Sequence, residues 1–294
     1  MLWFKRNVAP IPPEQPVAAE DQALPSENKI ERLVDRLGVV DGSSNETLPG
    51  ESKIDQLVDR PEPVVSRIDE RMAASSPMRV IVVASQKGGN GKTTVAAHLA
   101  VHASIVGQGP VVLIDTDPQG SLSEWWAARK DEYHPNDDAL ALATTKLNDL
   151  PARLAELRKN RTAFVVIDTP PAITTSIAEA ISIADLVVIP TRPSPHDLRA
   201  IGATMRLTRM TGKPFLFVVN GAVPRAKITA EAVTALSAHG QVAPVILSLR
   251  TDYAASMIDG RTVMEAGGST GRSAQEIAEL WNQVCAQTSM RAAA

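Results

Sequence analysis

Three glycines followed by a lysine and two threonines, in residues 86–94 (QKGGNGKTT), are the part of this 294-residue chain best suited to chemistry. Gly88, Gly89 and Gly91 let successive backbone N–H groups turn into one concavity. The helix expected to start near Lys92 adds its N-terminal dipole, and together these form a cradle for phosphate. Lys92 would reach the β- and γ-phosphates of a nucleoside triphosphate, and the Thr93 hydroxyl would ligate the accompanying Mg2+. Asn90 and Thr94 complete the set of loop residues expected around the nucleotide. The strict spacing of a phosphate loop fails at its first glycine, because Gln86 stands five residues before Gly91. What stands here instead is KGGxGKT, with a second lysine, Lys87, ahead of the glycines.

Two further stretches deliver carboxylates at the ends of apolar runs. Residues 111–114 (VVLI) lead to Asp115 and Asp117, and residues 165–167 (VVI) to Asp168. In an open α/β sheet the C-terminal ends of the strands face the ligand. A carboxylate at the place of Asp168 holds Mg2+, usually through a water.

With these residues in view the chain resembles the ParA/MinD family of deviant-Walker ATPases. The resemblance rests on KGGxGKT, on DTDPQG at 115–120, on the strand ending at Asp168 and on the register of Arg250, Tyr253, Gly260, Val263 and Glu265. It covers about residues 78–287. It implies that ATP is the nucleotide, that Lys87 reaches across to the nucleotide of a second subunit, and that Asp117 orients the attacking water while Asp115 supports the loop or the metal's water shell. It also implies that residues 169–171 (TPP) sense the γ-phosphate, that Asn220 lies where relatives read adenine, and that the loop of residues 191–198 lies along a subunit interface. The implied protein is a homodimer with ATP, slow in intrinsic hydrolysis and stimulated by a partner, that positions or segregates a plasmid, a chromosomal locus or a protein cargo on DNA. The alternative in the same family is a MinD-type ATPase of membranes or a secretion apparatus. The last residues (TSMRAAA) lack the basic amphipathic helix of such members, which favours DNA.

The elements that must position these groups read as an α/β fold of P-loop NTPase type: a mostly parallel sheet with helices on both faces, plus a largely disordered N-terminal arm. Strands are expected at 80–83, 111–114, 140–143, 165–167, 185–190, 215–220 and 242–247, from short apolar and β-branched runs. Helices are expected at 93–105, around Trp125 and Trp126, at 147–160, at 196–211 with His196 able to cap it, and at 274–287. Ser273 and Glu276 have the spacing of a capping box for the last of these.

Three regions follow: an arm at 1–77, the ATPase domain at 78–288 and a tail at 289–294. The arm holds nine of the 21 prolines and two aromatics, Trp3 and Phe4, so its packing capacity is small. Within it, residues 28–39 (NKIERLVDRLGV) are echoed by 52–63 (SKIDQLVDRPEP) and more loosely by 66–73 (SRIDERMA). Apolar residues recur at helical spacing in each copy. Residues 28–73 could therefore dock on an adaptor or cargo protein, or on the chain's own domain, or carry no role. No apolar run reaches eighteen residues, so no membrane insertion is expected. The lone Cys285 suits a reducing, cytoplasmic and nucleoid-associated setting. Residues 192–294 carry eleven basic and seven acidic side chains. That mild excess nominates Arg199, Arg206, Arg225, Lys227 and Arg250 as contacts to DNA of any sequence, against the plainer reading of a solvated face.

Overall fold

The computed structural model describes residues 77–133, 138–268 and 270–292. The expectations for the arm and its repeats lie outside the described residues. Seven strands carry the domain: β1 Arg79–Val83, β2 Val111–Asp115, β3 Leu140–Thr144, β4 Phe164–Asp168, β5 Leu186–Thr191, β6 Phe215–Ala222 and β7 Leu247–Ser248. They pair in parallel in the order β3-β2-β4-β1-β5-β6-β7. From central β1 the chain first builds outward through β2 and β3, then returns through β4 and crosses to β5, β6 and β7. That reversal opens a crevice beyond the C-terminal end of β1, where the glycine loop begins.

The connecting helices are α1 Lys92–Ile105, α2 Ser121–Ala128, α3 Leu150–Lys159, α4 Thr175–Ser182, α5 Pro195–Met210, α6 Lys227–Ser237, α7 Thr251–Ile258, α8 Val263–Ala266 and α9 Arg272–Ala292. Side chains of β1 alternate between two layers. Ile81 and Val83 pack with α1, Trp125 of α2 and the Ile277, Leu280 and Trp281 face of α9. Val80 and Val82 pack with α3, α4 and Ile201 of α5. All four are fully buried, and each such burial stabilises by about 1.5–3 kcal/mol. Burial on both faces is why the run is continuously β-branched rather than alternating with polar residues.

Four local expectations differ from the structure. The strand expected at 242–247 is broken: Phe217 and Val242 form an isolated bridge, and regular pairing resumes only at Leu247–Ser248. Pro244 between them has no N–H to give the ladder. The capping box is not at Ser273 and Glu276, because α9 already starts at Arg272 and Ser273 donates to Asp252 Oδ2 (2.8 Å). Glu276 is taken by Ser248 and Tyr253 (2.7 and 2.9 Å) and by Arg250. A capping box does form, at Thr262 and Glu265 of α8. Helix α5 is capped by Ser194, which accepts from Asp197 N, and not by His196. Helix α9 continues to Ala292, through much of the expected tail.

His98 on α1 is fully buried. Its Nδ1 lies 2.7 Å from Thr94 O, so that nitrogen carries the hydrogen, and its Nε2 accepts from Val263 N at 3.3 Å. The ring is therefore neutral, and burial lowers its pKa to about 4. Unfolded chain takes up this proton near pH 6.5, whereas the native chain resists to about 4. Stability is thus lost as pH falls through that window, by about 3 kcal/mol in total. The Asp168 carboxyl, raised to about 7, acts in the opposite sense over the same range, so the comparison must be with a variant. The stability advantage of wild type over His98→Gln should shrink by about 3 kcal/mol between pH 7 and pH 4 in urea titrations. A gap that stays constant with pH would refute this account of His98.

Candidate functional site

The loop between β1 and α1 gathers the groups singled out in the sequence. Gly89 and Gly91 have φ of +75° and +85°, a region closed to most side chains. At Gly91 a Cβ would also fall 2.1 Å from Asn220 Nδ2. Asn220, from the end region of β6, donates to Asn90 O at 2.8 Å and so braces the loop from the side. Asn90 is buried and donates to Ser85 Oγ (3.1 Å) within the loop. Gly88 lies exposed at the loop's rim, and Thr94 lies in the first turn of α1.

Lys92 is buried, and its Nζ lies 3.5 Å from Lys87 O. Burial lowers the pKa of its ammonium, and the carboxylates of Asp168 and Asp117 counter that effect. Thr93 donates through Oγ1 to Asp168 Oδ2 at 2.6 Å. Asp168, at the end of β4, is 1% exposed, and burial drives its pKa up to about 7 against the opposing pull of Thr93 and Lys92. Its other oxygen, Oδ1, is buried without a hydrogen-bond partner. An orphaned carboxylate oxygen next to a threonine hydroxyl is an oxygen donor set that suits Mg2+.

The second acidic pair divides its work. Asp115 Oδ1 accepts from Asp117 N (3.0 Å), while its Oδ2 accepts from Ser123 N and Ser123 Oγ (2.9 and 2.6 Å). Asp115 therefore holds the loop, one of the two roles expected for it. Asp117 Oδ1 accepts from Gln119 N (3.0 Å), and its carboxylate acts electrostatically on Lys92. Thr169 donates to Val83 O at 2.9 Å and ties the turn after β4 to β1.

Lys87 reaches a partner that was not legible in the sequence. Its Nζ lies 2.7 Å from Asp197 Oδ1, in the first turn of α5. Burial raises the Asp197 pKa, but hydrogen bonds from Lys87 and Ser194 outweigh it and hold the carboxyl below the ordinary range. Gln86 N donates to Thr204 Oγ1 (3.1 Å), so α5 grips the loop at a second point. Arg192, exposed at the end of β5, also acts on Asp197 and passes beside Gly221.

The five nominated cations are spread over α5, the β6–α6 loop, the start of α6 and the residue before α7. Arg199 and Arg206 are exposed on α5, and Arg225 is exposed in the β6–α6 loop with φ of +63°. Lys227 pairs with Glu231 at 3.5 Å. Arg250 pairs with Glu276 at 3.0 Å and is half-buried.

Residues 81–263 match the family described as the CobQ/CobB/MinD/ParA nucleotide binding domain. The maintenance of carboxysome distribution protein A of Halothiobacillus neapolitanus is 30% identical over 220 residues, covering 72% of this chain and 98% of the relative. The chromosome-partitioning ATPase Soj of Thermus thermophilus is 30% identical over 151 residues, covering 44% of this chain and 60% of the relative. Among solved structures, the ATP complex of a McdA variant from Cyanothece superposes with a TM-score of 0.59 at 22% identity, over 72% of this chain and 97% of that one. At that identity the superposition establishes the shared fold.

Gly91→Ala should abolish nucleotide binding, since it combines a left-handed backbone with a Cβ placed against Asn220. Lys92→Ala should do the same, because buried phosphate charge would lose its nearest cation. Asp117→Ala should leave affinity unchanged within about twofold and stop hydrolysis, a drop of about 100-fold or more in phosphate release. Calorimetric titration with ATP alongside a phosphate-release assay checks all three. Loss of affinity in Asp117→Ala would make that residue a metal ligand.

Proposed function

The chain belongs to the CobQ/CobB/MinD/ParA family of nucleotide-binding domains, and from that premise we propose that it is an ATP-driven positioning switch of ParA type. The observation that carries this reading is the convergence of Lys92, Thr93, Asp117 and Asp168 at the C-terminal ends of central strands, with Thr93 and Asp168 bonded across 75 residues of chain. Thr93 and Asp168 would hold Mg2+, which when bound offsets the negative charge of the phosphates. The loop amides and Lys92 fix the phosphates, and Asn220 borders the place for the base. Asp117 accepts a hydrogen bond from the attacking water and sets it in line with the γ-phosphate.

Lys87 supplies the switch. In the single chain it is neutralised by Asp197, so contact with a second subunit's nucleotide requires it to leave that carboxylate. The γ-phosphate of ATP adds the charge that favours that exchange, and ADP lacks it. Two chains closed face to face would also set two copies of Arg199, Arg206 and Arg225 on one assembly, doubling the positive charge offered to DNA. Cargo, whether a plasmid, a chromosomal locus or a protein body, is then carried by an adaptor, and residues 28–73 are the segment proposed to contact it.

Two outcomes test the reading. Lys87→Ala should bind ATP as wild type does but stay monomeric by sedimentation; an ATP-dependent dimer in that variant would remove the cross-subunit role. DNA retention in a mobility-shift titration should require ATP rather than ADP. Its dependence on salt should be steep, with roughly 0.9 in slope for each phosphate neutralised, so about four to six contacts give a slope near −4 to −5. Equal retention with both nucleotides, or sedimentation with anionic liposomes in place of DNA, would overturn the DNA reading in favour of a membrane-associated one.

A further inference from the structure

Asp117 lies one residue beyond the last backbone bond that ties β2 to β4, from Thr116 N to Asp168 O at 3.1 Å. On its far side it is held through Asp115 and Ser123 by helix α2. That helix runs on into a π-helical turn, Arg129–Tyr133, which buries Arg129 to 1% exposure. The guanidinium sits by the rings of Trp125 and Tyr133, 5.5 and 5.3 Å from their centroids. It makes a two-pronged pair with Glu265 at 2.9 and 2.6 Å and donates to Gly260 O at 3.0 Å. Gly260 has φ of +75°, and a Cβ there would lie 2.0 Å from Arg129 N, so the two backbones touch directly.

The chain of bonds does not stop there. Glu265 Oε2 also accepts from Thr262 N at 2.9 Å, the neighbouring Val263 N donates to His98 Nε2, and His98 Nδ1 donates to Thr94 O. A continuous path thus links the hydrolytic loop at Asp117 to the helix that carries Lys92 and Thr93, with the Arg129–Glu265 pair at its midpoint. A buried ion pair contributes little net stability over an apolar pair of like volume. What the fork does impose is a fixed separation of α2 from α8.

We propose that Arg129 and Glu265 are positioning residues for hydrolysis: they hold the Asp117 turn in register with the phosphate loop while touching neither nucleotide nor metal. The proposal rests on the ATPase reading above. A displacement of about 1 Å in a group that orients the attacking water can cost on the order of 100-fold in rate while leaving ground-state binding intact.

The test is Arg129→Met/Glu265→Gln, which leaves no buried charge unpaired and keeps an acceptor for Thr262 N. With its thermal transition as the check on folding, this variant should bind ATP within about twofold of wild type and release phosphate at least about tenfold more slowly in a single turnover. Arg129→Lys, which keeps the charge without the fork, should fall between the two. A folded double variant that hydrolyses within about twofold of wild type overturns the proposal. Should the double variant not fold, Arg129→Lys is read the same way, and an unchanged rate in it has the same meaning. A wild-type chain that binds ATP and releases no phosphate refutes the ATPase reading instead, so the two failures are distinguishable.

Discussion

A carboxyl group buried to 1% exposure at the end of β4, with one oxygen bonded to Thr93 and the other to nothing, is the constraint from which the rest of the domain follows. Burial pushes its pKa up to about 7. To carry charge it needs a cation, and Lys92 and Thr93 are delivered beside it by the turn from central β1 into α1. The parallel sheet exists around that meeting: β4 and β1 are neighbours, paired in register from Arg79 with Phe164 to Val83 with Asp168. Both strands are sealed on both faces, so neither end can drift.

Around this centre the second lysine, Lys87, is paired with Asp197. Lys87 and Gln86 are each bound to α5, through Asp197 and Thr204, so the flank of the loop away from Asp168 is set by a helix on the opposite side of the sheet from α1. The other flank is set by α2 and α8 through Arg129, Glu265 and His98. The phosphate loop is thus fixed between two layers that contact the nucleotide site at different residues.

Much of this was legible in the sequence because its chemistry is local there. Glycines, lysine and threonine adjoin one another, Asp115 and Asp168 each close an apolar run, and Asp117 follows two residues after the first. The partners that tune the site were not legible. Asp197 lies 110 residues from Lys87, and Glu265 lies 136 from Arg129, and nothing in either neighbourhood marks the pairing. Ser273 and Glu276 misled for a related reason: their spacing fits a cap, but long-range hydrogen bonds from Ser248, Arg250 and Tyr253 claim the carboxylate first. The interrupted last strand was foreshadowed by Pro244, whose missing N–H outweighs the apolar run around it.

The central claim is that the pocket at Asp168 is built for a divalent cation and a nucleotide together. Calorimetric titration of the wild-type chain with ATP, in Mg2+ and again in chelator, tests it most directly. Mg2+ should tighten ATP binding by about tenfold or more, roughly 1.4 kcal/mol, because the cation satisfies the orphaned carboxylate oxygen. Equal affinity in the two titrations would contradict it.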